Sequence, residues 1–383
     1  MEWPSILFWL SLAGIVYTYA GYPLLIAVLG RWAGRPVHKA PCTARLSVVI
    51  AAYNEAARLP AKVRTILGCE RSDLVEEILI GSDGSTDDPA AALGGVQDPR
   101  VRLVEFPQRR GKPSVINDLM GLARGEIVVM MDARQEVDAG ALVALLQNFA
   151  DERVGVVSGE LVFRAPDRLT DTAQGMDAYW RYEKFLRRRE ARFRSVPGAT
   201  GALYAFRRPL FRPLPPTLVL DDVGLPMQAV RQGYRCVFEA GAVVYDVPSR
   251  DLEQEALRKR RTLAGNAQLV GLMPWLLVPG VNPIWFEFVS HKLMRLAVPF
   301  LLVTMLLSNL MLVDGLWYRV LLGGQLSFYG VAAWSAWRAR GQKGGRPGGW
   351  LAIPYFFVSM NVTTLLAVMD ALGGRIQVQW ARK

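Results

Sequence analysis

One short apolar run that ends abruptly in a carboxylate constrains the fold of this chain most. Residues 127–131, with the sequence IVVMM, are apolar without interruption, and Asp132 follows them. Such a run suits a strand that is buried on both faces of a parallel sheet. Because ligands of open α/β sheets lie beyond the carboxyl ends of the strands, Asp132 is predicted at the mouth of a site. A lone carboxylate also fits a solvated strand end, so the other strands decide between these interpretations.

Two other apolar runs end in polar side chains. The run LSVVIAAYNE ends in polar Asn54 and Glu55, and the run EEILIGSD ends in Asp83. Segments with helical spacing separate the runs, and alternating strands and helices predict right-handed crossovers and a mostly parallel sheet. We therefore predict an α/β, Rossmann-like domain over residues 46–266, with its polar strand ends along one edge. Turn formation is an alternative role for the same polar residues.

Both ends of the chain are apolar enough for a membrane. Hydrophobic residues make up 51% of the 383 residues, and they concentrate at the two termini. Residues 4–30 carry no charge, and this stretch is longer than the about 20 residues needed to cross the hydrocarbon core of a membrane. It lacks the basic n-region and the cleavage site of a signal peptide. We predict a retained transmembrane anchor over residues 1–31 and a linker over residues 32–45. The basic residues that follow the anchor place the next segment inside the cell.

The C-terminal third predicts helices on and in the membrane. Three prolines interrupt residues 267–292, which suits helices that lie in the interface. Residues 293–374 predict three transmembrane helices, at residues 296–313, 316–337 and 350–372. The basic connection between the last two, RARGQKGGR, is expected in the cytosol. That orientation puts both termini outside, and the basic tail at residues 375–383 argues mildly against it.

The net charge limits the classes of partner that we expect, and the cysteines indicate the redox state of the compartment. The net charge is +11, but the sequence has no zinc-finger spacing, no aromatic stacking motif and no basic-region helix. We therefore expect no nucleic acid, and we expect anionic membrane lipids and phosphorylated substrates as partners. Cys42, Cys69 and Cys236 are odd in number and follow no metal-ligand pattern, so they are predicted to be reduced packing residues.

Further charged residues are candidates for phosphate binding and proton transfer. Lys112 precedes a predicted helix, whose N-terminus also favours phosphate. Asp132 is a candidate ligand for a divalent cation. Asp222 is a candidate general base, with Asp221 as its orienting neighbour. As an alternative, Asp221 or Asp222 caps a helix that starts near Val223.

A basic run near the end of the predicted domain contains Arg258 and Arg261. An arginine fork matches phosphate oxygens, so both side chains are candidates for binding a diphosphate. A solvated or lipid-facing side of a helix is the alternative interpretation of this run.

Seven motifs in order resemble one known family. They are VVIAAYNE, GSDGSTD, RGK, DAR, TGALYAFRR, DDVGLP and RKRRTLAGN. Together they resemble the membrane-bound family 2 glycosyltransferases of the cellulose-synthase-like branch, and the resemblance covers residues 46–266. It implies a glycosyltransferase-A fold and an inverting transfer of a sugar from a nucleoside-diphosphate sugar, with UDP as the expected carrier. The acceptor it implies is a membrane-associated, lipid-linked saccharide or a polysaccharide in cell-surface glycan synthesis.

The same resemblance implies roles for the matching positions. The nucleotide-binding positions are Tyr53, Glu55, Asp83, Lys112 and Asp132. Asp132 is also the metal position, for Mg²⁺ or Mn²⁺, and Asp222 is the catalytic base. The diphosphate and acceptor positions are Arg134, Asp221, Thr200, Gly201, Arg258 and Arg261. The resemblance further implies an integral protein of the bacterial cytoplasmic (inner) membrane with a cytosolic catalytic domain, and synthase-complex subunits as further partners.

Two positions depart from the family pattern. Arg134 stands where the family has its second metal aspartate. Either a bound cation therefore has fewer protein ligands, or the Arg134 guanidinium partly replaces the cation. Thr262 stands where processive synthases have a tryptophan, which argues against processive synthesis. A processive polysaccharide synthase is the enzyme alternative, and a catalytically inactive, nucleotide-binding membrane subunit is the alternative from another class. Transport is poorly supported, because the predicted spans have apolar interiors.

Overall fold

The computed structural model describes residues 3–164, 171–247, 252–340 and 351–376. The strands are β1 (Leu46–Ala52), β2 (Val75–Asp83), β3 (Val101–Phe106), β4 (Ile127–Met131), β5 (Glu136–Val137), β6 (Val154–Phe163), β7 (Leu203–Arg207) and β8 (Arg235–Asp246). The helices are α1 (Trp3–Val16), α2 (Tyr22–Trp32), α3 (Leu59–Leu67), α4 (Pro89–Leu93), α5 (Lys112–Leu122), α6 (Ala141–Leu146), α7 (Asp171–Phe193), α8 (Asp221–Arg231), α9 (Leu252–Leu272), α10 (Trp285–Phe288), α11 (Met294–Leu310), α12 (Leu316–Arg340) and α13 (Ala352–Leu372). Two π-helical turns, Tyr17–Gly21 and Val289–Leu293, join α1 to α2 and α10 to α11.

The described strands form one mixed sheet in the order β3-β2-β1-β4-β7-β6-β8-β5. Strand β1 lies between β2 and β4 and is parallel to both, and β3 extends this parallel part. Strand β7 runs antiparallel between β4 and β6, while β8 is parallel to β6. The predicted α/β fold is therefore confirmed, and its sheet is mixed because β7 runs antiparallel between two groups of parallel strands.

The strands that carry the predicted site are buried on both faces. Every residue of β1 and β4 is buried, and in β2 only Glu76 is exposed. Helix α5 packs directly over β2, since a Cβ atom on Gly81 would lie 2.4 Å from Cγ1 of Val115. This close packing holds the N-terminus of α5, and with it Lys112, beside the carboxyl ends of the central strands.

Three helices among the described residues are long and apolar enough to cross a membrane. They are Trp3–Trp32, Trp285–Leu310 and Ala352–Leu372. The sequence instead predicts interface helices up to residue 292. The structure differs there, because helical turns continue without a break from Trp285 into α11.

The other predicted membrane segments have mixed outcomes. The stretch predicted as a span at residues 316–337 forms α12, in which Arg319 and Gln325 reduce the apolar content, and its place in a membrane stays a prediction. Helix α9 continues past the predicted end of the soluble domain to Leu272. Most of the basic connection and of the basic tail lies outside the described residues.

A buried polar joint connects α7 to the apolar helices from both ends of the chain. The two ring nitrogens of buried His291 lie 2.7 Å from Glu190 Oε1 and 3.2 Å from Glu183 Oε2. Tyr22 of α2 donates a hydrogen bond to the same Glu190 oxygen at 2.6 Å. Both glutamates belong to α7, so polar contacts shielded from water fix this helix to both apolar segments.

The ion pair between Arg194 and Glu287 is predicted to stabilise this joint. Arg194 Nε and Nη2 donate to the two Glu287 oxygens at 2.8 and 2.9 Å, and the Glu287 side chain is fully buried. Arg194→Ala leaves that carboxylate buried without its partner, which costs about 3–5 kcal/mol. We expect a clear drop in the thermal unfolding midpoint in detergent. Arg71→Ala, which removes an exposed pair with Asp73, is the control, and equal midpoints for the two variants would contradict the prediction.

Candidate active site

Three strand ends meet at one edge of the sheet, as the parallel order of β2, β1 and β4 requires. Tyr53 follows β1, Asp83 ends β2, and Asp132 follows β4. Asn54 joins the first two loops: its backbone has a φ of 53°, and its Oδ1 accepts a hydrogen bond from the Thr86 N–H at 2.9 Å. Asparagine tolerates this left-handed conformation better than most residues. The structure thus brings the predicted strand-end residues together.

Asp83 holds the loop that precedes α5. Its side chain is fully buried, Oδ1 accepts a hydrogen bond from the Arg110 N–H at 2.7 Å, and Oδ2 accepts one from the Gly111 N–H at 2.8 Å. Gly111 has a φ of 93°, a conformation that favours glycine. In this structure the Asp83 carboxylate positions the loop that carries Lys112. Its contact with a nucleotide stays a prediction.

Tyr53 and Glu55 lie on the loop after β1. The guanidinium carbon of Arg109 lies 3.9 Å from the centre of the Tyr53 ring, and Glu55 forms an ion pair with Arg58. Arg109 is a site residue that the sequence analysis missed, although its place in the basic run before Lys112 was a usable signal. A guanidinium stacked on an aromatic ring combines a flat surface with positive charge, which suits a nucleotide.

Lys112 connects two aspartates that come from different parts of the chain. Its Nζ lies 2.9 Å from Asp132 Oδ1 and 3.2 Å from Asp221 Oδ1, and its side chain is only 13% exposed. Burial by itself lowers the pKa of Lys112, but the two carboxylates outweigh burial and raise it. Lys112 is therefore a permanent cation between β4 and α8.

Helix α8 begins at Asp221, not near Val223 as the capping alternative assumed. The residue before the helix is Leu220, and no side-chain hydrogen bond caps this end. Asp221 and Asp222 both lie in the first turn, where the helix dipole favours negative charge. The Tyr204 hydroxyl donates a hydrogen bond to Asp221 Oδ2 at 3.2 Å. Asp221 therefore bridges Lys112 and Tyr204. Like Arg109, Tyr204 was not among the candidate residues predicted from the sequence.

Asp222 has the electrostatic environment of a general base. Burial raises the pKa of its carboxyl to about 6, the Asp221 carboxylate adds to this rise, and Lys112 and Lys292 oppose it. A carboxylate with such a pKa is mostly ionised at neutral pH and accepts a proton more readily than an ordinary aspartate. Lys292 comes from the start of the second apolar helix, so its proximity to Asp222 was not visible in the sequence.

The segment before β7 lies against Asp222. A Cβ atom on Gly201 would lie 3.1 Å from Asp222 Oδ2, so this position has little space for a larger side chain. The neighbouring Thr200 donates its N–H to Ser158 Oγ at 2.9 Å, and its Oγ1 accepts a hydrogen bond from Arg187 Nη1 at 2.5 Å. The predicted acceptor-side residues Thr200 and Gly201 are thus adjacent to the candidate base.

Arg134 makes a contact that the sequence does not predict. Its Nε lies 2.9 Å from Asp246 Oδ2, and Gln135 Nε2 lies 3.1 Å from the same oxygen. Asp246 ends β8 and is buried. Arg134 therefore ties the loop after β4 to β8, and its contact with a diphosphate stays a prediction.

Arg258 and Arg261 lie about one turn apart on α9. Arg258 is exposed and Arg261 is half-buried. Burial lowers the pKa of the Arg261 guanidinium, while the three aspartates of the site act in the opposite direction. Arg261 is therefore within electrostatic range of the carboxylate cluster. The role of Arg258 stays a prediction.

Asp132 is the carboxylate that the sequence predicts as a ligand for a divalent cation. The Asp132 side chain is 40% exposed, and its Oδ1 is paired with Lys112. Within the part of the chain that the structure describes, no group of three or more His, Cys, Asp or Glu side chains is arranged as a metal site. A cation at Asp132 therefore needs diphosphate oxygens and water as its other ligands. This fits Mg²⁺ chemistry, in which one or two carboxylates combine with substrate phosphates.

The mixed sheet with this polar edge is a glycosyltransferase-A fold. A mannosyltransferase from Pyrobaculum calidifontis, solved with GDP-Man and Mn²⁺, matches it with a TM-score of 0.70, over 96% of this chain and 99% of that chain, at 23% identity. Residues 47–214 match the family model for Glycosyl transferase family 2. Residues 47–214 are therefore similar to the glycosyltransferase domains of family 2.

Curated relatives are similar over part of their lengths. An N-acetylglucosaminyltransferase of Azorhizobium caulinodans is 25% identical over 223 residues, which are 53% of this chain and 55% of that protein. An undecaprenyl-phosphate 4-deoxy-4-formamido-L-arabinose transferase of Sodalis glossinidius is 38% identical over 93 residues, which are 23% of this chain and 28% of that protein. The chain thus spans about half the length of the first relative and less of the second.

Proposed function

We propose that this protein is an inverting glycosyltransferase that moves a sugar from a nucleoside-diphosphate sugar to a membrane-associated glycan acceptor. One observation carries the proposal: Asp222, with its raised pKa, lies beside a cluster in which Lys112 joins Asp132 and Asp221. A base and a cation suited to phosphate are two groups that such a transfer requires. The similarity to family 2 domains supports the same conclusion.

In the proposed reaction, Asp222 takes the proton of an acceptor hydroxyl while the hydroxyl oxygen attacks the anomeric carbon of the donor sugar. The bond between that carbon and the diphosphate oxygen breaks in the same displacement, which inverts the configuration. Lys112 and Arg261 stabilise the negative charge that develops on the departing diphosphate. Mg²⁺ or Mn²⁺, when bound at Asp132, would supply additional charge neutralisation for the same leaving group.

The donor and the acceptor are proposed from chemistry and from relatives. We propose a UDP-sugar with its base towards Tyr53 and its diphosphate towards Lys112. The Pyrobaculum calidifontis neighbour was solved with GDP-Man, so guanosine donors belong in the test. The name of the Sodalis glossinidius relative supports a lipid-linked acceptor. The three apolar helices support an integral membrane protein, and we propose the bacterial cytoplasmic membrane with residues 46–266 in the cytosol.

The proposal is tested by nucleoside diphosphate release from the full-length protein in native-lipid nanodiscs. The donors are UDP-, GDP- and dTDP-sugars, each with Mg²⁺, Mn²⁺ or a chelator, with and without a lipid extract. We expect release from one donor class, a rise on adding the extract, and loss with the chelator or in Asp132→Asn. Asp73→Asn removes an exposed carboxylate and is the matched control.

One result would speak against the transferase, and another would speak against the predicted metal position alone. Bound donor without any diphosphate release, across all metals and with the extract, would favour a nucleotide-binding membrane subunit. Release that the chelator and Asp132→Asn leave unchanged would contradict the predicted metal position and keep the transferase.

A further inference from the structure

Helices α2 and α7 lie side by side and contact each other closely near their C-terminal ends. A Cβ atom on Gly30 would lie 3.0 Å from the carbonyl oxygen of Arg189. A Cβ atom on Gly34 would lie 3.1 Å from Cγ of Arg192, and the Arg35 N–H donates to the Arg192 carbonyl oxygen at 2.7 Å. The two helices therefore run in the same direction and end at the same level.

The exposed face of α2 is apolar until its last turn. Leu24, Leu25 and Val28 are exposed, although they are large apolar side chains. Residues spaced by three or four share one face of a helix, so this face continues from Leu24 and Val28 to Arg31. Trp32 follows and is 84% exposed. An apolar face that ends in an arginine and a tryptophan is typical of a helix that leaves the hydrocarbon core of a membrane.

Helix α7 shows the same change of surface. Phe185 is an exposed aromatic residue, and the guanidinium carbon of half-buried Arg189 lies 5.2 Å from the centre of its ring. Arg192 is exposed, and the three residues lie at positions i, i+4 and i+7 on one face of α7. The exposed apolar surface of both helices is therefore followed by arginines at one level, which indicates the boundary between hydrocarbon and headgroups.

The arginines at this level carry an unbalanced positive charge. Together they form the arginine patch, which consists of Arg31, Arg35, Arg189 and Arg192. Among the residues that the structure describes, none of these four side chains forms an ion pair with a carboxylate. Glu190, which follows the third of them in the sequence, is buried and contacts His291 instead. Each helix C-terminus supplies about half a negative charge, so the ends of α2 and α7 offset only about one of the four positive charges.

The position and the charge of the arginine patch favour the headgroup of an anionic phospholipid. The patch lies at the end of Trp3–Trp32, a helix that is long and apolar enough to cross a membrane. An arginine fork matches phosphate oxygens, and basic side chains next to a span are attracted to anionic lipids. A soluble phosphate offers the same oxygens but leaves the neighbouring apolar face uncovered. A phospholipid covers that face with its acyl chains while its phosphate binds the guanidiniums.

We propose that the arginine patch binds the phosphate headgroups of anionic phospholipids and thereby fixes α7 and the α/β domain against the membrane surface. The inference goes beyond the proposed function, because it concerns a lipid surface and neither the donor nor the acceptor. It also gives the depth of the first apolar helix: the headgroups lie at the level of Arg31, and the apolar residues before it lie in the hydrocarbon core.

Lipid binding to the full-length protein in detergent tests the arginine patch directly. Native mass spectrometry with phosphatidylglycerol and phosphatidylcholine, each in a dilution series, gives a Kd for each lipid. We expect the anionic phosphatidylglycerol to bind more tightly than the zwitterionic phosphatidylcholine. Arg31→Gln/Arg35→Gln and Arg189→Gln/Arg192→Gln each remove two charges, so each should raise the Kd for phosphatidylglycerol by about ten- to thirtyfold.

Two control variants separate a lipid site from a general effect of charge. Arg64→Gln/Arg71→Gln removes two exposed arginines of the α/β domain, so it should keep the wild-type Kd for phosphatidylglycerol. Arg31→Lys/Arg35→Lys keeps the charge and should keep the preference for phosphatidylglycerol, although lysine lacks the fork that matches a phosphate. The thermal unfolding midpoint without added lipid shows whether the glutamine variants are folded.

Three results would overturn the lipid site. They are equal Kd values of the wild type for the two lipids, an unchanged Kd for phosphatidylglycerol in both glutamine variants, and displacement of phosphatidylglycerol by inorganic phosphate. The last result would assign the arginine patch to a soluble anion. The proposed function fails separately, since a protein that prefers phosphatidylglycerol but releases no nucleoside diphosphate contradicts only the transferase activity.

Discussion

Asp222→Asn is expected to lower sugar transfer by about 10²–10⁴-fold while the donor remains bound. The carboxylate lies against Gly201 in the predicted acceptor-side segment, and its pKa of about 6 suits a base at neutral pH. Asparagine keeps the shape of the side chain but cannot take the proton of the attacking hydroxyl. The measurement is the single-turnover rate of transfer at saturating donor, with the donor Kd determined in parallel.

The matched control for this substitution is Asp73→Asn, an exposed carboxylate far from the site in sequence. It should leave both the rate and the donor Kd unchanged. A wild-type rate in Asp222→Asn would show that the proton goes elsewhere. If neither the wild type nor Asp222→Asn transfers sugar, and both have the same biological effect, the inactive-subunit alternative is favoured.

Asp222→Asn should also stabilise the protein at neutral pH. Folding raises the pKa of Asp222 from 3.8 to about 6, so the folded protein binds this proton more tightly than the unfolded chain does. The stability linked to this group is therefore fully present below about pH 4 and is lost as the pH rises through about 6. An uncharged side chain avoids that loss. We expect a gain of about 1–3 kcal/mol for the variant above pH 7, discounted for partial exposure, and no gain near pH 4.

The strand ends of the site were predictable because they depend on local pattern and on one topological rule. The apolar runs of β1, β2 and β4 lead into Tyr53, Asp83 and Asp132. Parallel neighbours have their carboxyl ends at the same edge, so the three residues had to lie close together. The same reasoning gave the approximate position of α5 and hence of Lys112.

Contacts between distant segments were not predictable, because a single sequence does not show the order of the strands in the sheet. Arg134 binds Asp246 since β8 is neighbour to the short strand β5 that follows the Arg134 loop. The Asp83 carboxylate accepts hydrogen bonds from the backbone N–H groups of Arg110 and Gly111. These contacts depend on the geometry of the backbone and not on the residue type. Hydropathy likewise indicated apolar helices at the C-terminus but not that the second one begins at Trp285.

Lys112→Met is expected to weaken donor binding by about ten- to hundredfold. Lys112 is 13% exposed and lies within ion-pair distance of Asp132 and Asp221. Methionine keeps most of the length of the side chain and removes its charge, so the cluster loses its shared cation. Hydrogen bonds from a charged donor to a diphosphate contribute about 1.5–3 kcal/mol, which sets the expected change in Kd. Calorimetric titration of the nucleoside diphosphate into the protein in nanodiscs measures it.

The pH dependence of transfer separates this charge effect from a general loss of structure. Lys112 opposes the rise in the pKa of Asp222, so its removal moves that pKa further above 6. Because Asp222 acts as a base, the acid limb of kcat/KM should then shift to higher pH. Lys112→Arg keeps the charge and should keep the wild-type limb, although its larger head group reduces donor affinity. An acid limb that stays in place in Lys112→Met would mean that Asp222 does not sense Lys112, and that another group titrates in the reaction.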